Sequence, residues 1–430
     1  MYKHTNSFTG NYLSWIHAQK NGDPLGTGKF LNRLTDKISD KELILNTFSS
    51  SLLLNDWNIA IKLAKKIVSF DKNNFFANII LSTHSFNEKQ YSKSLDFIEN
   101  IYVSSIDESF LKIISSWIHL QNKKNQIALE NFKNENCLPI TCLHSALIYD
   151  QIGKKEIAKK NFDKILERTD SSLRITEILY SFYSSNSFDK QVSSLKKKFE
   201  KKTEKENIFS KTMHNNILTP KDGLAEIYFN ISGWFYERNL FMYSIYFANV
   251  GLNLKPNFQA LKLLSANSYE RLELLEYSLK RISGINENSI YFLPSVFLKI
   301  GILNELGKNE ELIKFLRNTL DSKQYDEKIE TLLADSLRSE GFYEDSLVLY
   351  NKIINELNTI KEQNYYLFYS RGITFERLKK WKKAEKDFMK ALTLKPNDPF
   401  ILNYIGYSWL ERKVNIEKAL EFISLAAQQE

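Results

Sequence analysis

The sequence predicts an all-α fold in which pairs of helices follow one another along the chain. Three observations support this class. One 34-residue stretch reads as two amphipathic helices, its spacing recurs through most of the 430 residues, and the chain has only 14 glycines and 7 prolines. A chain of this length exceeds the usual size of one hydrophobic core. A repeat array accommodates it, because each unit packs only on its neighbours.

The clearest unit runs from Tyr365 to Asp398. In its first half, Phe368, Gly372 and Phe375 fall on one face of a helix. A glycine inside a helix costs about 1 kcal/mol relative to alanine, so we expect another helix to cross closely at Gly372. The second half places small residues on either side of a large one, and a proline closes it; these residues are Ala384, Phe388, Ala391 and Pro396.

One position in the second helix recurs every 34 residues and usually holds a small side chain. It is found in two runs, which are Ser244, Ser278, Leu312 and Ser346, and Ala60, Ser94 and Ala128. An aromatic ring stands three residues earlier in several units, at Trp57, Tyr91, Phe241, Tyr343 and Trp381. Chance rarely keeps such a phase, so the period predicts that most of the chain repeats one structural unit.

These features resemble the tetratricopeptide repeat (TPR). The resemblance rests on the unit length and on seven residues that we expect to build the array, Phe368, Gly372, Phe375, Ala384, Phe388, Ala391 and Pro396. Arg371 departs from the pattern, since the repeat usually has leucine there. The resemblance implies a right-handed superhelix, and the recurrence predicts a solenoid of about 11–12 helix pairs.

Taken in order, the units predict an N-terminal block of degenerate repeats at residues 1–195, a charged linker or insertion at 196–220 and a C-terminal block at 221–430. In the first repeat, Pro24 and two glycines weaken the second helix of the pair. The last unit has one inserted residue before Ala419 and is incomplete at Glu430. Because solenoids need a polar end cap, we expect the array to continue or its open end to dock, including by self-association.

Four segments are similar to a group of long TPR proteins from alphaproteobacteria. They are SFTGNYLSWIHAQKNGD, TPKDGLAEIYFNIS, YYLFYSRGITFERLKKW and NYIGYSWLERKVNIEKALEFI. The resemblance implies an exported or envelope-associated protein. No signal peptide is visible, so the chain as it reads predicts a cytoplasmic location, and a periplasmic or envelope location is the alternative if the N-terminus is truncated.

The segment GDPLGTGKF, residues 22–30, invites comparison with a phosphate-binding loop. That motif needs glycine, four residues and then Gly-Lys-Ser/Thr, because backbone amides cradle the phosphate and a hydroxyl reaches the metal. Here five residues lie between Gly22 and Gly28, and Phe30 replaces the hydroxyl residue. Nucleotide binding is therefore not predicted.

The sequence shows no clear motif for metal binding or catalysis. Cys137 and Cys142 are too few for a disulfide scaffold or a four-cysteine zinc site, and Cys142 and His144 point to different sides of a helix. We predict no metal, cofactor or catalytic residue. The net charge of +8 and the lysine run at 196–211 fit base composition and a solvated face better than nucleic-acid binding. No stretch of the sequence reaches 18 apolar residues, so we expect no transmembrane helix.

The first helices of such arrays usually line a groove that holds a peptide or a partner helix. We expect seven residues to face this groove, Tyr366, Tyr369, Ile373, Arg377, Phe400, Asn403 and Tyr407. The lysine and asparagine that clamp a terminal carboxylate in some TPR domains are absent, because Tyr369 with Ile373 and Asn403 with Tyr407 occupy the matching positions.

The predicted function is a non-enzymatic scaffold or adaptor. Its partner is a protein or peptide anchored by apolar side chains, with Arg377 selecting acidic character, and no small-molecule substrate is predicted. The alternative is a targeting module of a larger enzyme, such as a glycosyltransferase, whose catalytic domain is not in this chain.

Overall fold

A computed structural model describes residues 7–20, 23–34, 39–102, 108–132, 138–168, 172–200, 217–321 and 327–428. Across these ranges the chain forms 24 α-helices and a short 3-10 turn, without any strand. The all-α class and the arrangement in helix pairs are therefore confirmed.

The chain divides into two compact units, Met1–Val296 and Phe297–Glu430. The helices of the first unit are α1 (Phe8–Lys20), α2 (Pro24–Leu34), α3 (Lys41–Leu54), α4 (Trp57–Phe70), α5 (Phe75–Asn87), α6 (Tyr91–Glu99), α7 (Glu108–Gln121), α8 (Asn125–Glu130), α9 (Pro139–Gln151), α10 (Lys155–Arg168), α11 (Leu173–Ser185), α12 (Asp189–Glu200), α13 (Pro220–Tyr236), α14 (Phe241–Leu254), α15 (Gln259–Glu270) and α16 (Leu275–Ile282).

The boundary between the units falls within α17 (Phe292–Glu305). The second unit continues with α18 (Asn309–Asp321), α19 (Glu327–Ser339), α20 (Tyr343–Glu356), α21 (Tyr365–Arg377), α22 (Trp381–Leu394), α23 (Pro399–Glu411) and α24 (Ile416–Ala427). Of the predicted linker at 196–220, residues 196–200 belong to α12, and residues 201–216 lie outside the described residues. The division into predicted blocks stays a prediction.

The turn between the two helices of a pair is the same in most of the repeats. One residue with left-handed backbone angles lies two positions before the second helix, at Asn55, Lys89, Lys123, Gly153, Ser187, Asn239, Glu273, Gly307, Gly341 and Lys379. Glycine tolerates these angles best, and Gly341 has φ +83. The last pair has two such residues, Lys413 and Asn415, which accounts for the residue inserted before Ala419.

The 34-residue period of small side chains has a direct physical cause. The hydroxyls of Ser94, Ser278 and Ser346 donate to backbone carbonyls 12 residues earlier, across the pair, at 2.8–2.9 Å. These serines are fully buried. A small residue lets the two helices approach, and a hydroxyl there also satisfies itself on the facing backbone. The aromatic rings three residues earlier begin the second helices, for example Trp57 in α4 and Trp381 in α22.

In the first unit, one helix pair packs against the first helices of several preceding pairs. Helix α13 contacts α7 and α9, and α14 contacts α3 and α5. The hydroxyls of Tyr228 and Thr83 are 3.3 Å apart, and the Asn249 amide donates to the Leu52 carbonyl at 2.7 Å. That face of the N-terminal repeats is therefore covered by the chain itself.

A buried ionic cluster fixes α13 to α11. The Arg174 guanidinium donates to both carboxylate oxygens of Glu226 and to Glu177, and the Tyr291 hydroxyl donates to Glu177 at 2.6 Å. All four side chains are buried. Because removing one partner from such a cluster leaves a buried charge unpaired, the cluster strongly favours this one arrangement of α11 and α13.

Candidate functional site

The site in the second unit is built on the helices α21, α22 and α23. Their core contains Phe368, Phe375, Ala384, Phe388 and Ala391 together with apolar residues of α23. The connection from α22 to α23 is set locally. Asp398 caps α23 by accepting from the backbone amides of Phe400 and Ile401, and proline occupies the first turn.

The close crossing expected at Gly372 is present. A Cβ atom on Gly372 would lie 2.6 Å from the ring of Phe388. The contacts of the neighbouring Arg371 explain why this position departs from the repeat pattern. The Arg371 guanidinium makes two hydrogen bonds to Asp387, at 2.7 and 2.8 Å, and one to Asn351. A bidentate ion pair with a nearly buried carboxylate thus stands where the repeat usually has an apolar contact.

A depression of about 310 Å³ opens between α21 and α23. From α21 it is lined by Tyr369, Glu376 and Arg377, and from α23 by Phe400, Asn403, Tyr404, Tyr407, Ser408 and Glu411. The spacing on α23 is that of one helical face. Phe400 and Tyr407 are 72% and 55% exposed, so two large rings stand at the surface beside the depression.

Some polar groups in the depression are paired within the protein, and others have no protein partner among the described residues. Glu376 accepts from the Arg412 guanidinium at 2.8 Å and from the Tyr404 hydroxyl at 3.5 Å. Arg377 makes one ionic contact, with Glu376 at 3.7 Å, and its side chain is 56% exposed. Within the described part of the chain, the Tyr369 hydroxyl and the Asn403 amide have no hydrogen-bond partner. These groups remain able to bond a ligand.

Burial keeps Tyr369 and Tyr404 of the depression neutral. Burial, with a smaller contribution from Tyr404, raises the pKa of Tyr369 to about 12. The pKa of Tyr404 is also raised, mainly by burial and then by the Glu376 carboxylate. Both hydroxyls are therefore hydrogen-bond donors throughout the physiological pH range.

The structure brings five of the seven expected groove residues to this depression, Tyr369, Arg377, Phe400, Asn403 and Tyr407. Tyr366 is 40% exposed but does not line the depression, and Ile373 is half-buried against the core of α21 to α23. Four lining residues were not among the expected ones, Glu376, Tyr404, Ser408 and Glu411. Continuing the helical spacing from Asn403 and Tyr407 would have found Glu411.

Other candidate residues have structural partners. A Cβ atom on Gly28 would overlap the side chain of Leu54, so this glycine serves helix packing; Gly22 lies outside the described residues. The lysine run is described only up to residue 200. Cys137 is also outside those ranges, and no group of three or more metal-ligating side chains occurs among the residues that could be searched.

His144 is buried inside the first unit and makes two hydrogen bonds. The indole of Trp117 donates to its Nδ1 at 2.9 Å, so Nε2 carries the proton and donates to the Asn230 side-chain oxygen at 3.1 Å. Burial lowers the pKa of His144 to about 3 against a small opposing effect of Asn230. The ring is therefore neutral and fully engaged.

At the C-terminal end, Ile416 and Leu420 of α24 are 51% and 55% exposed. Self-association through this end stays a prediction. No described helix combines the length and apolar character needed to cross a bilayer.

Comparison with known proteins identifies one repeat directly. A family model for the tetratricopeptide repeat matches residues 365–398. No match was found among proteins with curated descriptions. The match covers the unit that the sequence marks most clearly, and it describes a repeat rather than a catalytic domain.

Several solved structures are weakly similar to the chain. YrrB, described as a TPR protein with an unusual peptide-binding site, is 16% identical with a TM-score of 0.34, over 41% of this chain and 90% of its own. The Cut9-Hcn1 hetero-tetramer of the APC/C is 10% identical with a TM-score of 0.36, over 97% and 92%. Yeast Tom70 is 12% identical with a TM-score of 0.34, over 98% and 91%.

Proposed function

We propose that this protein, which contains a tetratricopeptide repeat at residues 365–398, is a non-enzymatic adaptor that binds a peptide segment of a partner protein on α21 and α23. The observation that carries the proposal is the depression between these helices, where exposed aromatic rings stand beside polar groups that have no protein partner among the described residues. The peptide that fits best has an apolar or aromatic anchor next to an acidic residue.

The covered face of the first unit supports this choice of surface. There, α13 and α14 pack against the first helices α3, α5, α7 and α9 and cover the faces that they contact. In the second unit, by contrast, the first helices α21 and α23 keep aromatic and polar side chains exposed. Exposed rings that cluster around a depression are typical of peptide-binding surfaces.

The apolar part of the binding energy comes from Phe400 and Tyr407. Full burial of a side chain of this size contributes about 1.5–3 kcal/mol. A peptide that covers both rings gains the part of this energy that corresponds to the exposed surface of each ring. Ordering the peptide offsets part of the gain. We therefore expect the two rings alone to give weak binding, and we expect polar contacts to raise the affinity.

The polar part comes from Arg377, Asn403 and Tyr369. The Tyr369 hydroxyl and the Asn403 amide can bond backbone groups of an extended peptide, as polar groups in ligand sites commonly do. The Arg377 guanidinium has a distant partner in Glu376, whose charge is already balanced by Arg412. An acidic side chain of the peptide would gain a charge-assisted hydrogen bond there.

A display library of random peptides, panned against the full chain, tests the proposal. Library members that also bind the double variant Phe400→Ala/Tyr407→Ala are removed first. The affinity of the remaining selected peptides is then measured by fluorescence polarisation. We expect these peptides to lose at least tenfold in affinity on the double variant. We also expect them to contain an aromatic or large apolar residue near Asp or Glu, and to lose affinity on Arg377→Glu.

Val348→Ala is the matched control, because Val348 is an exposed apolar residue of the same unit, 68% exposed, on α20. It should leave affinity unchanged. Peptides that bind wild type and the double variant equally would overturn the surface assignment. Equal binding to Arg377→Glu would overturn the preference for acidic residues while leaving the aromatic surface in place.

A further inference from the structure

A second pocket, in the first unit, is lined by basic residues and by no acidic residue among those described. It has a volume of about 230 Å³ and lies between the end of α3 and the helices α15 and α16. Its basic residues are Lys262, Lys280 and Arg281. The pocket is distinct from the peptide surface, and the inference drawn from it does not rest on the proposed function.

Neutral groups hold two of the cations in place. The Lys262 ammonium donates to the Gly284 carbonyl at 2.7 Å, and a Cβ atom on Gly284 would lie 2.9 Å from the Lys262 nitrogen. Glycine at 284 therefore leaves the space that the ammonium occupies. The Arg281 guanidinium donates to the Asn249 side-chain oxygen and lies over the ring of Tyr269.

Among the residues that the structure describes, no carboxylate lines the pocket to balance its positive charge. In the described part of the chain, the hydrogen-bond partners of Lys262 and Arg281 are uncharged, and Lys280 is exposed without an ion pair. Burial and then the charge of Arg281 lower the pKa of Lys262, as expected for two cations held near each other. Asp23, whose charge acts on Tyr277, lies outside the lining, as do Glu276 of α16 and Asp56, which follows Asn55 in the chain.

Aromatic and hydroxyl groups complete the walls. The rings of Tyr269 and Tyr277 stack with centroids 5.5 Å apart, and the Tyr269 hydroxyl donates to the Leu53 carbonyl at 2.6 Å, which fixes this wall to the end of α3. The Tyr277 side chain lines the pocket and supplies a hydroxyl donor. The pocket therefore offers several hydrogen-bond donors, and two of its three cations are held in place.

We propose that this pocket binds the phosphate group of a phosphomonoester. A dianion is the ligand that three uncompensated cations favour most, and arginine with lysine is the usual combination for phosphate recognition. The volume admits the phosphate with part of the group that carries it. The carrier is either a free small molecule or a phosphorylated side chain of a partner protein, and the chemistry at the cations is the same for both.

Calorimetric titration of the full chain tests the proposal at constant ionic strength. The ligands are inorganic phosphate, O-phosphoserine, and a short peptide with and without phosphoserine. We expect 1:1 binding of the phosphorylated ligands. Lys262→Met, which keeps the apolar stem, and Lys280→Ala should each weaken it at least fivefold, and Gly284→Ala should weaken it by displacing the Lys262 ammonium.

Lys93→Ala is the matched control, since Lys93 is an exposed lysine of the same unit on α6. Circular dichroism and thermal unfolding without ligand establish that each variant is folded. Equal phosphate binding by wild type, Lys262→Met and Lys280→Ala would overturn the proposal, as would equal binding of both peptide forms or no binding at all. If O-phosphoserine binds as tightly as the phosphopeptide, the carrier is a small molecule; a tighter phosphopeptide assigns a modified protein.

Discussion

Replacing Gly372 by alanine tests the packing of the repeat most sharply. The new Cβ atom would lie 2.6, 2.7 and 3.2 Å from three atoms of the Phe388 ring. That ring is fully buried, and its centroid lies 5.2 Å from Tyr404 and 6.0 Å from Tyr369. Because these rings enclose it, the Phe388 ring has little room to move away.

The size of the effect follows from two opposing contributions. Overpacking a core by a methyl group costs about 1–3 kcal/mol, and the enclosed ring places this site near the upper end. Alanine in place of glycine returns about 1 kcal/mol of helix propensity. We therefore expect a net loss of about 2 kcal/mol, and a larger loss for Gly372→Leu.

Gly301→Ala provides the matched control. Gly301 lies in α17, and a Cβ atom there would have no neighbour within 4 Å. The same chemical change should therefore stabilise the protein by about 1 kcal/mol. Hydrogen exchange of α21 and α22 is the assay, because it reports local opening directly. Gly372→Ala should speed exchange by roughly 30-fold, at tenfold for each 1.4 kcal/mol. Equal stabilisation by both substitutions would refute the close crossing.

Two further predictions concern buried polar groups. The pKa of His144 is about 3 in the folded protein and near 6.5 in the unfolded chain. The neutral ring therefore adds to the free energy of unfolding above pH 6.5, and this stabilisation is lost as pH falls towards 3. Urea unfolding at pH 6.5 and 4.5 should therefore show a loss on the order of 2 kcal/mol that is reduced in His144→Gln; an unchanged pH dependence would contradict the buried neutral ring. Arg371→Leu should destabilise by about 3 kcal/mol because it leaves Asp387 buried without its partner. Adding Asp387→Leu should recover most of this loss in denaturant unfolding, and no recovery would contradict a specific ion pair.

The sequence predicts local features of the fold well. The length of the unit, the small residues at Ser94, Ser278 and Ser346 and the crossing at Gly372 all depend on contacts within one helix pair. Such contacts join residues 12 to 16 positions apart, so their pattern is visible in the spacing of side chains. The turn with its one left-handed residue recurs for the same reason.

The packing of α13 and α14 on the N-terminal repeats could not be read in this way. The hydrogen bond of Tyr228 to Thr83 joins residues 145 positions apart, and that of Tyr269 to Leu53 joins residues 216 apart. These contacts depend on how successive pairs stack, a sum of small rotations that no single motif encodes. The ionic cluster of Arg174 and Glu226 likewise joins helices on either side of the predicted linker or insertion at residues 196–220.

The candidate site was partly predictable. Helical spacing identifies Phe400, Asn403 and Tyr407 as one face of α23. It does not tell whether a residue on the facing helix stays exposed, and Ile373 is half-buried because the core of α21 to α23 reaches it. The ring of Tyr369 is also half-buried, against Phe388 and Tyr404, so truncating it would perturb packing as well as binding.

Hydrogen exchange of the full chain, with and without a peptide selected on it, tests the central claim most directly. Bound peptide should slow exchange in α21 and α23 and leave α3, α5, α7 and α9 unchanged, and Phe400→Ala/Tyr407→Ala should abolish the effect. Protection confined to the first unit, with α21 and α23 unchanged, would contradict the assignment of the peptide surface.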